Sequence, residues 1–469
     1  MSEEQTLFSQ FYRSLLWWPI LISLTACHSI SPHDQPDIAF TENWQTANLT
    51  HQQTEINREW WASFQSPQLN QLIDEALQQS PDLRIAAERV RQAELQMNSA
   101  GASLVPALGV NASSGSTRSR NSEAEWQTGE SSRVSLGASY EIDLWGRVSA
   151  NIAAAEASFK ASEFDYESAL LSLTGAVASG WFQWLALQAR IETARENIRI
   201  AQRVYDIVDV RYRNGAATAA DLARQRTNLL SQSAALPPLE LQGRQTRAAL
   251  AVLIGRVPQN FVLTDEAIMD IALPDINAGV PADIITRRPD LASAEAQLQA
   301  ADADVAVARA ALLPAVQLSA SAGKATAALF SLGSASDSVG GSLSLAQTLF
   351  DGGRLRNQVK LSESQRISLL EQYRKTIYTA LQEVDDALDR TAVNAEQEQR
   401  QTEIVTQAQR TLRLTEVRYR EGSDDLLALL DAQRSLFRAQ DQLAQQRQAR
   451  LTAAVDLYKA LGGGWRLDN

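Results

Sequence analysis

The side chains that usually carry chemistry are scarce here and poorly placed for it. There is one cysteine, Cys27, and three histidines, His28, His33 and His51, in 469 residues. A single thiol excludes an intrachain disulfide and a thiolate metal cage. With no imidazole beyond His51, neither a nucleophile–histidine pair nor a histidine zinc site can be assembled in the main body. Carboxylate chemistry remains open, but the acids sit mostly on the outer positions of long periodic segments, and Asp385-Asp386 reads as a solvated helix face. Met97 and Met269 are the only methionines after Met1, so no thioether ladder marks a soft-metal path. The sequence therefore predicts no enzyme, no cofactor and no metal. Lys and Arg number 43 against 55 Asp and Glu, a net charge of −12, which argues against a nucleic-acid partner.

The elements that would position any site come in two copies. Ser80-Pro81-Asp82-Leu83 returns as Arg288-Pro289-Asp290-Leu291, and Leu104-Val105-Pro106-Ala107-Leu108 as Leu312-Leu313-Pro314-Ala315-Val316, both at an offset of 208. Gly146-Arg147 returns as Gly353-Arg354, and Val210-Arg211-Tyr212-Arg213-Asn214-Gly215 as Val417-Arg418-Tyr419-Arg420-Glu421-Gly422, both at 207. Matches in one order at offsets of 207 and 208 identify a tandem duplication. Each copy reads as a helix ending near Pro106 or Pro314, two strands, a very long helix, a glycine turn and a return helix.

The long helices give the strongest signal. Arg354 to Glu421 holds neither Pro nor Gly over 68 residues, roughly 100 Å of helix at ~1.5 Å per residue. Trp184, Leu187, Ile191, Ala194, Ile198, Ala201, Tyr205, Val208 and Tyr212 step by three and four, as do Ile367, Leu370, Arg374, Ile377, Leu381, Val384 and Leu388. A sustained 3.5-residue period predicts coiled-coil packing. Gly215 and Gly422 stand where each helix must reverse, and Pro237-Pro238 predicts a break in the first return helix.

The strands alternate with period two. Val134, Leu136, Ala138, Tyr140 and Ile142 oppose Arg133, Ser135, Gly137, Ser139 and Glu141, and residues around 108–112, 316–322 and 343–349 repeat the pattern; 117–132 and 325–338 read as loops. One apolar and one polar face suit a half-buried sheet, or a barrel with lipid outside and water inside. Two strands per copy give four per chain, too few to close, and open edges do not survive in lipid. The chain must then assemble with copies of itself; spacing does not choose between two and three.

Residues 14–26 form a short apolar run ending at Cys27, too short for a spanning helix but fitting a signal peptide. Leu24-Thr25-Ala26-Cys27 resembles the lipobox of bacterial lipoproteins, which implies cleavage before Cys27 and its lipidation. No run of 18 apolar residues follows Cys27.

Taken together, Trp60-Trp61, Phe64, Leu69, Asp143-Leu144-Trp145-Gly146-Arg147, Phe350-Asp351-Gly352-Gly353-Arg354, the paired Arg-Tyr-Arg-x-Gly turns and Leu429-Leu430-Asp431-Ala432-Gln433-Arg434 resemble the TolC family of outer-membrane efflux channels, in its lipoprotein branch serving multidrug pumps. The resemblance covers essentially the whole mature chain. It implies a mainly helical fold with a β part: helical hairpins forming an α-barrel, and four strands from each of three chains forming a 12-stranded transmembrane barrel. It also implies a homotrimer in outer-membrane lipid, a passive exit duct for drugs or other small toxic compounds, and two partners, a periplasmic adaptor and an inner-membrane transporter. The division that follows is signal peptide 1–26, lipidated segment 27–65, repeat one 66–263 and repeat two 264–469. Arg211, Tyr212, Gly215, Tyr419, Gly422, Asp424 and Asp425 become the adaptor-facing tips. Leu427 and Asp431 become a periplasmic gate with Arg418 as counter-charge. An adaptor-like lipoprotein and a coiled-coil scaffold stay as alternatives; the first predicts one hairpin between split β-domains and the second no alternating strands.

Overall fold

A computed structural model describes residues 38, 44, 56–120, 126–276, 279 and 281–467. The signal segment and Cys27 lie outside the described residues. The chain divides into two compact units, one holding 102–154 and 301–366, the other 38–101, 155–300 and 367–469.

The first unit is built on one antiparallel sheet, ordered β1-β2-β3-β4: β1 Ala107–Arg120, β2 Trp126–Ile142, β3 Ala315–Thr326 and β4 Ser336–Ala346. Residues directly opposite one another share a face. The register aligns Leu108, Ala138, Ala320 and Gly341 in one row and Val110, Leu136, Ala322 and Val339 in the next, while Tyr140, Leu318 and Leu343 form a third. The period-two pattern in each strand thus becomes a single continuous apolar face, and Leu108, Val110, Leu136, Leu318, Val339, Leu343 and Leu345 stand exposed on it. The outer edges of β1 and β4 have no strand partner among the described residues.

The strands exceed their expected length. Thr117 pairs with Gly129 and Arg120 with Trp126, so most of the segment 117–132, expected as a loop, is ladder. Both faces are mostly polar there, so the apolar alternation that betrays a strand is missing, while backbone pairing continues and the Ser114 and Ser132 hydroxyls meet at 2.8 Å.

The helices repeat with equal lengths. In chain order they are α1 Pro67–Gln79, α2 Pro81–Gly101, α3 Arg147–Arg213, α4 Ala219–Leu253, α5 Pro289–Ala310, α6 Arg354–Arg420 and α7 Leu426–Ala460. The helices α3 and α6 have 67 residues each, and α4 and α7 have 35 each. Both α2 and α5 begin on a proline, which gives up no intrahelical bond at the first position.

Two expectations about helices are corrected. The helix α4 runs straight through Pro237 and Pro238. Both prolines are exposed, so the carbonyls they leave unbonded can be hydrated. The flanks are held to α3, where Gln225 Nε2 donates to the Ala201 carbonyl at 2.9 Å and Arg195 pairs with Glu240 at 3.1 Å. In α6 the buried seam is Tyr373, Ile377, Ala380, Val384 and Ala387, whereas Ile367 is exposed. The period is as expected, but the fully buried stripe runs through Tyr373, Ala380 and Ala387, with Leu370, Leu381 and Leu388 partly buried beside it.

The core of the second unit is aromatic. Trp60 stacks on Tyr458 at 5.1 Å, Phe64 meets Phe182 at 5.0 Å, and Trp181 stacks on Trp184 at 5.1 Å. An 18-residue stretch of α3 reaches a mean hydropathy of 1.3, enough by composition to cross a membrane, but most of it is buried here, including Trp181, Phe182 and Leu185. Nearby, Arg447 fastens the segment between the repeats. It donates to the carbonyls of Ile268, Met269 and Ile271 and to Glu398 at 3.1 Å, and Glu398 also takes Arg450 at 2.8 Å.

Candidate functional site

The two hairpin turns are built alike. At the end of α3 the Ala216 amide donates to the Arg211 carbonyl at 2.8 Å and the Gly215 amide to the Tyr212 carbonyl at 3.0 Å. At the end of α6 the Ser423 amide donates to the Arg418 carbonyl at 2.9 Å and the Gly422 amide to the Tyr419 carbonyl at 3.1 Å. This crossed pair of bonds needs a left-handed residue, and Gly215 and Gly422 supply it at φ 72° and 76°. The return helices are then capped by side chains. Thr218 and Asp221 exchange bonds in a capping box, and the Asp425 carboxylate accepts from the Ala428 amide at 2.8 Å. The Thr218 hydroxyl and amide hold the Asp221 carboxyl below its usual range.

Equal backbones carry unequal side chains. Tyr419 is buried among Val208, Leu412, Leu426 and Leu430, while its counterpart Tyr212 is exposed. The Arg211 guanidinium lies over the Tyr419 ring, 4.9 Å from its centre, and reaches the Tyr419 carbonyl at 3.5 Å. This contact joins one hairpin to the other, and nothing in the two identical motifs announced it. Arg418 pairs with Asp424 across its own turn at 3.3 Å; the pairing expected with Asp431 is not made among the described residues of a single chain. Leu427 and Asp431 stand one turn apart on the exposed side of α7, opposite the buried Leu426, Leu429 and Leu430.

The junctions from strand to helix are also paired. Asp143 accepts from the Val148 and Ser149 amides at 3.0 and 2.8 Å, and Asp351 from Gly353 and Leu355 at 3.0 and 2.9 Å. Trp145 Nε1 donates to the Pro314 carbonyl at 2.7 Å, and Arg147 grips Glu141 with two bonds of 2.8 and 2.6 Å. These motifs are helix caps and strand ties.

The sequence profile of the outer membrane efflux protein family matches residues 72–256 and again 280–463, once on each repeat. The chain belongs to that family. It is 40% identical over 468 residues to the pyoverdine export outer membrane protein OpmQ of Pseudomonas putida, covering 97% of this chain and 98% of that one. It is 34% identical over 457 residues to the probable efflux pump outer membrane protein TtgC of the same species, covering 94% and 93%. Among solved structures, the Campylobacter jejuni CmeC outer membrane channel superimposes with a TM-score of 0.86 at 25% identity, over 93% of this chain and 95% of that one. The TolC-like fold expected from the motifs is the fold found, and the family's twofold match falls on the duplication read from the offset.

Proposed function

We propose that three copies of this chain close their sheets into one outer-membrane barrel and form the passive exit duct of a tripartite efflux pump, in outer-membrane lipid. The observation that carries this reading is the four-stranded sheet with one continuous apolar face and two unpartnered edges. Edge joins edge between copies, and the apolar face then meets lipid, since a barrel leaves no strand unpaired. The hairpin tips, including Arg211, Tyr212, Gly215, Tyr419, Gly422, Asp424 and Asp425, meet the periplasmic adaptor that links the duct to an inner-membrane transporter. Leu427 and Asp431 narrow the same end as three-membered rings. Cys27 is acylated and adds a lipid anchor. The division at 1–26, 27–65, 66–263 and 264–469 follows the same reading. The cargo is a small toxic compound or secreted metabolite, and the 40%-identical relative makes pyoverdine an early candidate beside drugs.

Crosslinking of the purified protein in detergent and conductance in planar bilayers test the assembly together. A trimer with discrete conductance steps is expected. A monomer without conductance overturns the reading. Deletion of the gene followed by profiling of dye, detergent and antibiotic sensitivity and of pyoverdine secretion identifies the cargo.

A further inference from the structure

The two faces of the sheet treat charge differently. On the apolar side, the row beyond Val110, Leu136, Ala322 and Val339 contains Lys324 and Asp337, which neutralise each other at 2.8 Å. On the opposite side, the described strand positions hold only Ser, Gly, Ala, Asn, Thr and Gln, with two exceptions, Arg133 and Glu141. Glu141 is neutralised by the two-bond grip of Arg147. Arg133 sits in a row with Ser113, Ala325 and Ser336, and none of these can carry a counter-charge. Its side chain is exposed, and it makes no ion pair among the described residues.

Position gives the charge a role. Arg133 and Glu141 lie eight residues apart on β2, about 27 Å along a strand at ~3.4 Å per residue. Glu141 is next to the junction with α3, and Arg133 lies in the last row that all four strands share, beyond which β1 and β2 continue, to Arg120 and Trp126.

We propose that Arg133 forms a positively charged collar inside the barrel lumen, at the rim of its four-stranded part, and that it favours the passage of anionic solutes. This rests on the trimeric duct, in which the polar face lines the lumen and three chains supply three guanidiniums. The walls around the collar are hydroxyls, glycines and amides, which solvate a passing solute without binding it by charge. Among the described strand positions of the lumen face, the Arg133 ring is therefore the one unbalanced charge. Its field reaches into the lumen only about one Debye length, ~10 Å at 0.1 M salt and ~3 Å at 1 M, so selectivity belongs to low salt.

Planar bilayers with all channels inserted in one orientation test the collar, with inositol hexakisphosphate as the polyanionic probe. The native channel at 0.1 M KCl is expected to be blocked by the probe from the side bearing the β-hairpin ends, and much less from the helical side. Arg133→Gln should weaken that block about tenfold, Arg133→Lys should restore it, and 1 M KCl should abolish it in all. Arg133→Glu should reverse the shift of zero-current potential measured in a KCl gradient. Equal block and equal zero-current potential in the native channel and Arg133→Gln, at normal conductance, overturn the collar and leave the duct standing. A native protein that conducts nothing overturns both.

Discussion

Among the described residues, the contact between Arg211 and Tyr419 is a specific side-chain pair that holds the two hairpin ends of a chain together, so its loss should loosen the tip. A guanidinium over an aromatic face contributes ~0.5–1 kcal/mol when exposed and ~2 when desolvated. Here the ring is buried and the arginine half-buried, 4.9 Å from the ring centre, which places the pair near 1 kcal/mol. The added bond to the Tyr419 carbonyl is long at 3.5 Å and contributes little. In a trimer, three pairs released together total ~3 kcal/mol, a shift of about a hundredfold between closed and open tips. Arg211→Gln removes the cation and leaves the ring in its pocket. Single-channel recording should show a longer-lived open state in Arg211→Gln and in Tyr419→Leu, with no further gain in the double variant. Tyr419→Phe keeps the ring face and should behave as the native channel. If Arg211→Gln keeps native closed times, or Tyr419→Phe matches Tyr419→Leu, the ring–cation contact is not what restrains the tip.

Gly422→Ala should cost about 1–2 kcal/mol through its left-handed backbone alone, because an added Cβ meets nothing within 4 Å. Gly422→Trp should therefore still fold and form the proposed trimer, yet stop efflux by crowding the proposed adaptor seat; complementation of drug resistance at matched expression checks this. Arg447→Met should destabilise the protein by about 3–5 kcal/mol, because three carbonyls and half the neutralisation of Glu398 are lost from a buried site; a denaturant titration followed by tryptophan fluorescence reads it. Burial, reinforced by the charge of Glu295, pushes the Tyr373 hydroxyl up to about 12. The folded state thus holds this proton after the unfolded chain has released it, and stability should fall as pH rises from about 10 to 12. Tyr373→Phe should flatten that part of the profile, with tyrosinate absorbance as the check.

Much of this was legible because repetition and periodicity are properties of the chain alone. The offset of Gly215 and Gly422 already requires equal helices before each turn, and 67 residues each is what is found. The alternation of Val134, Leu136 and Ala138 with Ser135 and Gly137 assigned the sheet faces, because a strand turns each side chain opposite to the last. Where no apolar surface is buried, that signal stops, and the polar ends of β1 and β2 were unreadable for that reason. Pro237-Pro238 was misleading because local chemistry disfavours a helix there, while contacts with α3 on either side sustain it. The roles of Arg211 and Tyr419 were beyond reach for another reason. The same three-residue motif ends both long helices, and only the packing decides which tyrosine is covered and which arginine covers it. Arg447 reaches back across almost 180 residues to Ile268, and no spacing rule connects such positions.

The matched lengths of α3 with α6 and α4 with α7 constrain how this chain can change over generations. One residue inserted into an α-helix turns everything beyond it by about 100° and lengthens it by ~1.5 Å. In a pair of long partners, that error carries from the insertion to the turn, rotating a buried stripe outward over many heptads. Substitution at a single site disturbs only its neighbours. Ancestral drift in the two halves should therefore be rich in replacements and almost free of insertions or deletions within the helices, with gained or lost residues confined to the segments 327–335 and 121–125 and to the region between the repeats. Any indel that did survive in one long helix should be answered by a compensating one in its twin.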